Sequence, residues 1–208
     1  MKTPLPFASL LLSLSLSSAA HATEAALTRT STDGAFGAGV PAPGEARLAL
    51  GLRWSGALPM AELRWLQGFA RPVALDLALA TSGVTQEARV GARVRIYDDA
   101  TRAISLRGSV FESHALDREP RFVLAAGPGL LAGSRFGEWT VGAQVDVALT
   151  LLDARASYVE RATFGVRSAA TASRELFGAR LAVEVGVWVV TSELGSTTLP
   201  FSSLALAW

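Results

Sequence analysis

The chain of 208 residues is 50% hydrophobic, has no cysteine, and sets 19 Lys+Arg against 18 Asp+Glu. Without cysteine neither a disulfide nor lipoprotein acylation is available. Lys2 is the only lysine, and taking it from the 19 leaves 18 arginines facing 18 carboxylates, so no basic surface directs the chain to nucleic acid.

Residues 1–22 read as an export signal. Lys2 supplies the positive start, Leu5 to Ser18 an apolar run, and Ala20-His21-Ala22 an A-x-A cleavage pattern that puts the mature N-terminus at Thr23. The run is shorter than the ~20 residues of a spanning helix, and no later window is long and apolar enough to form one. Residues 23–44 are rich in Ala, Gly, Thr and Pro without a sustained period. They read as a flexible leader, with a short plug in a lumen as the alternative.

From Glu45 onward the pattern has a period of two, the mark of strands with unlike faces. Leu48, Leu50, Leu52 and Trp54 alternate with Arg47, Ala49, Gly51 and Arg53, up to a turn marked by Ser55-Gly56 and Pro59. Ala61 to Ala70 sets Leu63, Trp65 and Phe69 against Glu62, Arg64 and Gly68, although Pro59 to Leu63 also fits a helix start. Arg71-Pro72 turns the chain into Val73 to Ala80, where Asp76 lies opposite Leu75 and Leu77. A longer strand follows Thr81-Ser82-Gly83, with Val84, Ala88, Val90, Ala92, Val94 and Ile96 against Glu87, Arg89, Arg93 and Arg95. Asp98-Asp99 turns into a strand with Ile104, Leu106 and Val110 on one face and Arg107 on the other, and Glu112 to Pro120 reads as the longest loop. Arg121 to Leu131 is closed by a turn at Gly133-Ser134, with Gly127-Pro128-Gly129 as a bend or close-contact point.

Glu138 to Leu151 carries the clearest signal. Trp139, Val141, Ala143, Val145, Val147, Leu149 and Leu151 alternate with Glu138, Thr140, Gly142, Gln144, Asp146, Ala148 and Thr150. At about 3.3 Å per residue this run reaches some 46 Å, whereas a tilted strand crosses a bilayer with about 9–11 residues. A strand from Tyr158 to Arg167, a turn of small residues at Ser168 to Arg174, a strand from Phe177 to about Val189, a turn at Ser192 to Thr198 and a last strand to Trp208 complete the series. The expected fold is all-β, an antiparallel up-and-down transmembrane β-barrel over residues 45–208 with ten strands, or eight if Ala61 to Ala80 is not a hairpin.

A soluble barrel alternates too, with its apolar face inward. Here the apolar faces are nearly free of charge, the opposite faces mix Gly and Ala with Arg, Asp and Glu, and aromatics fall near strand ends, all of which favours the inside-out arrangement of a membrane barrel. The expected lumen lining is Arg89, Arg93, Arg95, Arg107, Glu138, Asp146, Arg161, Arg167, Arg180 and Glu184. It serves either as a charge-selective path or as an ion-pair ladder filling a closed barrel. The expected interface aromatics are Trp54, Trp139, Tyr158 and Trp208.

Phe201-Ser202-Ser203-Leu204-Ala205-Leu206-Ala207-Trp208 ends on an aromatic residue with Leu204 and Leu206 on its face. This resembles the terminal β-signal of small Gram-negative outer-membrane β-barrel proteins. The resemblance implies an outer-membrane location, a lipid environment and recognition by the barrel-assembly machinery; Trp at the last position departs from the more usual Phe. Outer-membrane phospholipases and lipid A deacylases are similar barrels with a Ser and a His on one strand face. Ser113 and His114 are adjacent and would point to opposite faces. One histidine beyond the signal and no cysteine disfavour zinc, and Gly127-Pro128-Gly129 lacks the Lys-Ser/Thr and helix of a phosphate loop. No catalytic, cofactor or metal residue is assigned. The leading reading is an outer-membrane barrel with a structural or narrow porin-like role. The alternatives are a soluble periplasmic lipocalin-like binding barrel and a lipid-modifying barrel enzyme using His114.

Overall fold

Alternating side chains build eleven strands in the computed structural model, which describes residues 37–55, 58–115, 121–155, 159–160, 164–192 and 195–208. The expected signal peptide, most of the leader, Tyr158 and Arg161 lie outside the described residues. The strands are β1 (Ala46–Ser55), β2 (Leu58–Ala70), β3 (Val73–Thr81), β4 (Thr85–Asp98), β5 (Arg102–Ala115), β6 (Arg121–Phe136), β7 (Trp139–Arg155), β8 (Val159–Glu160), β9 (Phe164–Leu176), β10 (Ala179–Ser192) and β11 (Gly195–Ala207). Among the described residues β8 pairs only with β7, and the other strands form a closed wall of 10, each antiparallel to its neighbours.

Closure happens where the chain's two ends meet. β1 pairs with β11 through Leu50↔Leu206, Gly51↔Ala205 and Leu52↔Leu204. Trp208 and Leu48 then exchange backbone hydrogen bonds of 2.8 and 3.0 Å, so the last residue completes the seam and leaves no open edge there. Gly51 is required at this seam, because a Cβ would sit 2.5 Å from that of Ala205. On the inward face Ala49, Ala182, Ala205 and Ala207 make a cluster of small buried side chains.

The short connections at 71–72, 99–101, 137–138 and 177–178 share one end of the barrel with the start of β1 and the end of β11. At this turn end Asp99 accepts from the Tyr97 hydroxyl (2.6 Å) and from the Thr101 and Arg102 amides (2.7 Å each). Those donors, the tyrosine foremost, hold its carboxyl well below the usual aspartate range. Phe177 and Gly178 both take positive φ (52° and 79°), the left-handed pair of a type I′ hairpin, whose twist matches the strands. The opposite end, the rim, carries the remaining connections.

Several boundaries differ from the sequence expectation. Pro59 lies inside β2, opposite Trp54. β5 continues through Glu112, Ser113 and His114 to Ala115. Gly133-Ser134 is within β6, and the turn comes at Gly137 instead. Ser168 to Arg174 is not a turn but the middle of β9, and Phe177 belongs to the hairpin rather than to β10. At Gly133-Ser134 and Ser168 to Arg174 the sequence reads as loop because Ser, Ala and Gly are loop formers, whereas here these small residues lie within strands, those of inward parity on a crowded inner wall.

The described part of the leader is not ahead of the barrel. Gly37 to Pro41 are buried, and their neighbours are all on the wall. Ala38 clusters with Ala103 and Leu131, and Val40 with Leu66 and Ala74. At Gly68 a Cβ would lie 2.1 Å from the Ala42 carbonyl oxygen. For residues 37–41 a lumenal position therefore replaces the flexible leader, because an extended stretch of small residues offers carbonyls to the wall and needs little room.

Tight inward packing gives a first prediction. At Gly186 a Cβ would meet the Ser168 carbonyl oxygen at 2.3 Å and the Phe201 ring at 2.6 Å. Gly186→Val should destabilise the barrel by about 1–3 kcal/mol, measured as a lowered urea midpoint in detergent micelles. An unchanged midpoint would show that the Phe201 ring is not packed there.

Candidate functional site: the charged lumen

Polarity is inverted across the wall. Leu50, Leu52, Val90, Ile96, Leu106, Val145, Leu149, Val185 and Leu206 are exposed on the outside, while Glu62, Arg64, Asp76, Arg93, Arg107 and Glu184 are buried inside. The reason is positional. Within a strand, even and odd residues reach opposite media, and every charge that falls on the inward parity must find a partner there.

Two carboxylates organise the interior. Asp76 on β3 accepts from Arg93 Nη2 at 2.7 Å and from Arg89 Nη2 and Arg107 Nη1 at 3.3 Å. Arg107 Nη2 also reaches both Asp146 oxygens, at 2.5 and 2.6 Å. Glu184 on β10 is fully buried and accepts from Arg64 Nη1 (2.8 Å), Gln144 Nε2 (3.0 Å) and Arg167 Nη2 (2.5 Å). Arg64 donates in turn to both oxygens of Glu62, at 3.0 and 3.1 Å. Arg53 donates to Glu87 and lies 3.9 Å from Glu62, and the Arg167 guanidinium stacks 4.4 Å over the Phe201 ring.

The plug joins this network through its backbone. Arg93 Nη1 donates to the Gly37 carbonyl at 2.6 Å and to that of Gly39 at 3.2 Å, and the Ser105 hydroxyl donates to the Ala38 carbonyl. Arg93 thus links Asp76 to residues that the strand pattern does not include.

Of the expected lumen residues, Arg89, Arg93, Arg107, Asp146, Arg167 and Glu184 are brought together. Arg95 pairs with Asp98 at 2.5 Å beside the turn end, and Arg180 lies half-buried on the inward face of β10 near the same end. Glu138 is outside the network. It sits in a hairpin turn and pairs with Arg174, which also stacks 5.7 Å from the Trp139 ring. Arg53, Glu62, Arg64, Asp76, Glu87 and Gln144 were missing from the expected set, although each has the inward parity of its strand. Among the expected aromatics, Trp54 faces outward at the rim, and Trp139 and Trp208 face outward at the turn end, where Phe69 and Phe136 are exposed as well.

Ser113 and His114 do point to opposite faces. His114 shares the outward face with Val110, contacts Glu112 through Nε2, and packs against Phe122 with ring centroids 4.7 Å apart. No group of three or more His, Cys, Asp or Glu side chains that could hold a metal ion occurs among the described residues.

No protein-family model and no curated protein matches the chain. Among solved structures it is similar to a KdgM porin, at 11% identity and a TM-score of 0.43 over 78% of this chain and 98% of that one. It is also similar to OccAB4 of Acinetobacter baumannii, at 7% identity and a TM-score of 0.29 over 76% of this chain and 56% of that one. The barrel architecture described above rests on its own strand pairing.

The network predicts unequal costs for its carboxylates. Glu184→Ala leaves Arg64 and Arg167 without their shared buried partner and should cost roughly 3–5 kcal/mol. Glu138→Ala, which removes only an exposed pair, should cost about 0–1 kcal/mol. Urea titrations of the two variants in micelles test this contrast, and equal costs would contradict the pairing described.

Proposed function

We propose that this chain is an integral outer-membrane barrel with a closed, charge-filled lumen and a structural role. The inverted polarity supports this reading most directly. In water the exposed Leu, Val and Ile of ten strands would form an apolar surface far larger than soluble monomers show. In a bilayer it is the surface that lipid requires. The 13 residues of β2, at about 3.3 Å each and a tilt of about 45°, rise some 30 Å, enough for the ~25 Å apolar band of such barrels. Outward aromatics at both ends fit the two interfaces, and the export signal expected over residues 1–22 supplies the route. By the usual asymmetry of short periplasmic turns, the turn end faces the periplasm. The final strand, ending at Trp208, is proposed as the segment the assembly machinery reads.

A lipocalin-like binding barrel needs an apolar interior, the reverse of what the strands carry. A lipid-modifying activity at His114 lacks a serine on its own face of β5. A narrow porin-like path is the second reading, favoured by a cavity of about 90 Å³ among the lumen charges, but the ion pairs and residues 37–41 occupy the rest of the way.

The refolded protein should resist SDS until boiled and then change mobility, and it should give no steady conductance in a planar bilayer. Release from membranes by carbonate would end the membrane reading, and stable conductance steps would replace the closed barrel with a pore. The plug can be fixed independently. A Cβ on Gly133 would lie 3.5 Å from that of Ala38, within the span of a disulfide, and the chain has no other cysteine to compete. An Ala38→Cys/Gly133→Cys variant should oxidise to an intramolecular disulfide in the folded barrel. Persistent free thiols under oxidant would place the segment elsewhere.

A further inference from the structure

One of the short connections at the turn end is unlike the others. Residues 71–72, 99–101 and 137–138 hold Arg, Pro, Asp, Ala, Thr, Gly and Glu, whereas the β9–β10 turn places Phe177 in its first position. Phe177, at φ 52°, is the one non-glycine residue with positive φ among the described residues, and it is fully exposed. A type I′ turn prefers Asn, Asp or Gly at this position, because a bulky side chain is strained in the left-handed region. In water phenylalanine therefore costs the hairpin twice, through its backbone and through an uncovered ring.

The surroundings indicate what covers the ring. Trp139 pairs with Arg174, so the tips of the β6–β7 and β9–β10 hairpins lie side by side. Phe136 pairs with Trp139, and both are exposed, as is Leu176 next to the turn. Phe69 and Trp208 add exposed aromatics at the same end. Phe177 is three residues beyond Arg174. At about 3.3 Å per residue and a tilt of about 45° it lies some 7 Å farther out than the level of Trp139 and Arg174. The headgroup layer on either side of the hydrocarbon is roughly 5–8 Å deep. With Trp139 at the inner boundary of that layer, the Phe177 ring is still within it and can turn back toward the acyl chains.

We propose that the β9–β10 turn is a lipid anchor: Phe177 inserts into the headgroup layer of the periplasmic leaflet and, with Phe136 and Trp139 of the adjoining hairpin, forms one lipid-contacting patch. The proposal rests on the outer-membrane reading above and adds a turn, rather than a strand face, to the surface that lipid covers.

The chain has no cysteine, so a nitroxide on one introduced cysteine reports one place. The full chain, refolded into phosphatidylcholine vesicles, is labelled at Val145→Cys, on the exposed face of β7, or at Phe177→Cys. Relaxation by oxygen, which concentrates in lipid, is compared with relaxation by a nickel chelate, which stays in water. The oxygen-to-chelate ratio should be highest at 145, and at 177 several-fold above that of the same variant unfolded in urea. A ratio at 145 no higher than in urea would remove the membrane reading itself. A lipid-like ratio at 145 with an unfolded-like ratio at 177 would overturn the anchor alone. Stability gives a second readout. Phe177→Asn relieves the turn, so a ring without lipid contact predicts an unchanged or raised urea midpoint in the vesicles. The anchor requires that midpoint to fall, and Phe177→Trp to keep the native value. An Asn variant as stable as the native chain would overturn the proposal whatever the labels show.

Discussion

An arginine carried into a barrel has no solvent in which to leave its charge, so its partner must come from another strand at the same depth. Asp76 and Glu184 meet that requirement from nearly opposite parts of the chain, β3 and β10, and between them collect five of the lumen's guanidinium groups. Register follows from this. A slip of β3 by one residue would carry Asp76 to the outer face and bring Leu75 or Leu77 inward, taking a shared partner from three arginines at once. The apolar exterior gains little from one register over another, since any Leu or Val serves on that face. The interior is what discriminates.

The same constraint explains what could be read from the sequence. A period of two survives wherever the two faces meet different media, so strand existence and facing were legible from Leu48 to Trp208. Boundaries failed where the inner wall is built of Ser, Ala and Gly, as at Ser168 to Arg174 and Gly133-Ser134. There the composition of a turn and the composition of a crowded lumen are the same. Parity identified Glu62, Arg64 and Asp76 as inward, but parity does not say which residues meet across a barrel. That depends on depth, and depth depends on the shear of the whole sheet.

Residues 37–41 lay beyond any such argument. They make no ladder, have no period, and bury side chains no larger than Val40 and Pro41. Their signal is on the wall. Gly68 has no space for a Cβ because the Ala42 carbonyl occupies it, and Ser105 and Arg93 turn donors toward backbone oxygens. Glycine in a strand marks a close approach of backbone, and at Gly68 the approaching backbone comes from outside the sheet.

Residues 37–41 and the ion pairs fill parts of the lumen by different means. Residues 37–41 are held through backbone carbonyls on Arg93 and Ser105 and through small apolar contacts, near the turn end. The carboxylate clusters lie farther along, and each arginine there is anchored by the wall itself. Withdrawing the plug would therefore leave the ion pairs in place, while removing Glu184 would disturb the interior without freeing the plug. Arg93 is the exception. It bonds Asp76 with one nitrogen and the plug with another, so the fit of the N-terminal segment and the distribution of charge around Asp76 are physically coupled. A plug that left would expose Arg93 Nη1 to water and loosen its hold on Asp76, shifting more of that carboxylate toward Arg89 and Arg107. Any opening at the turn end would thus be felt at the cavity, through a single guanidinium group.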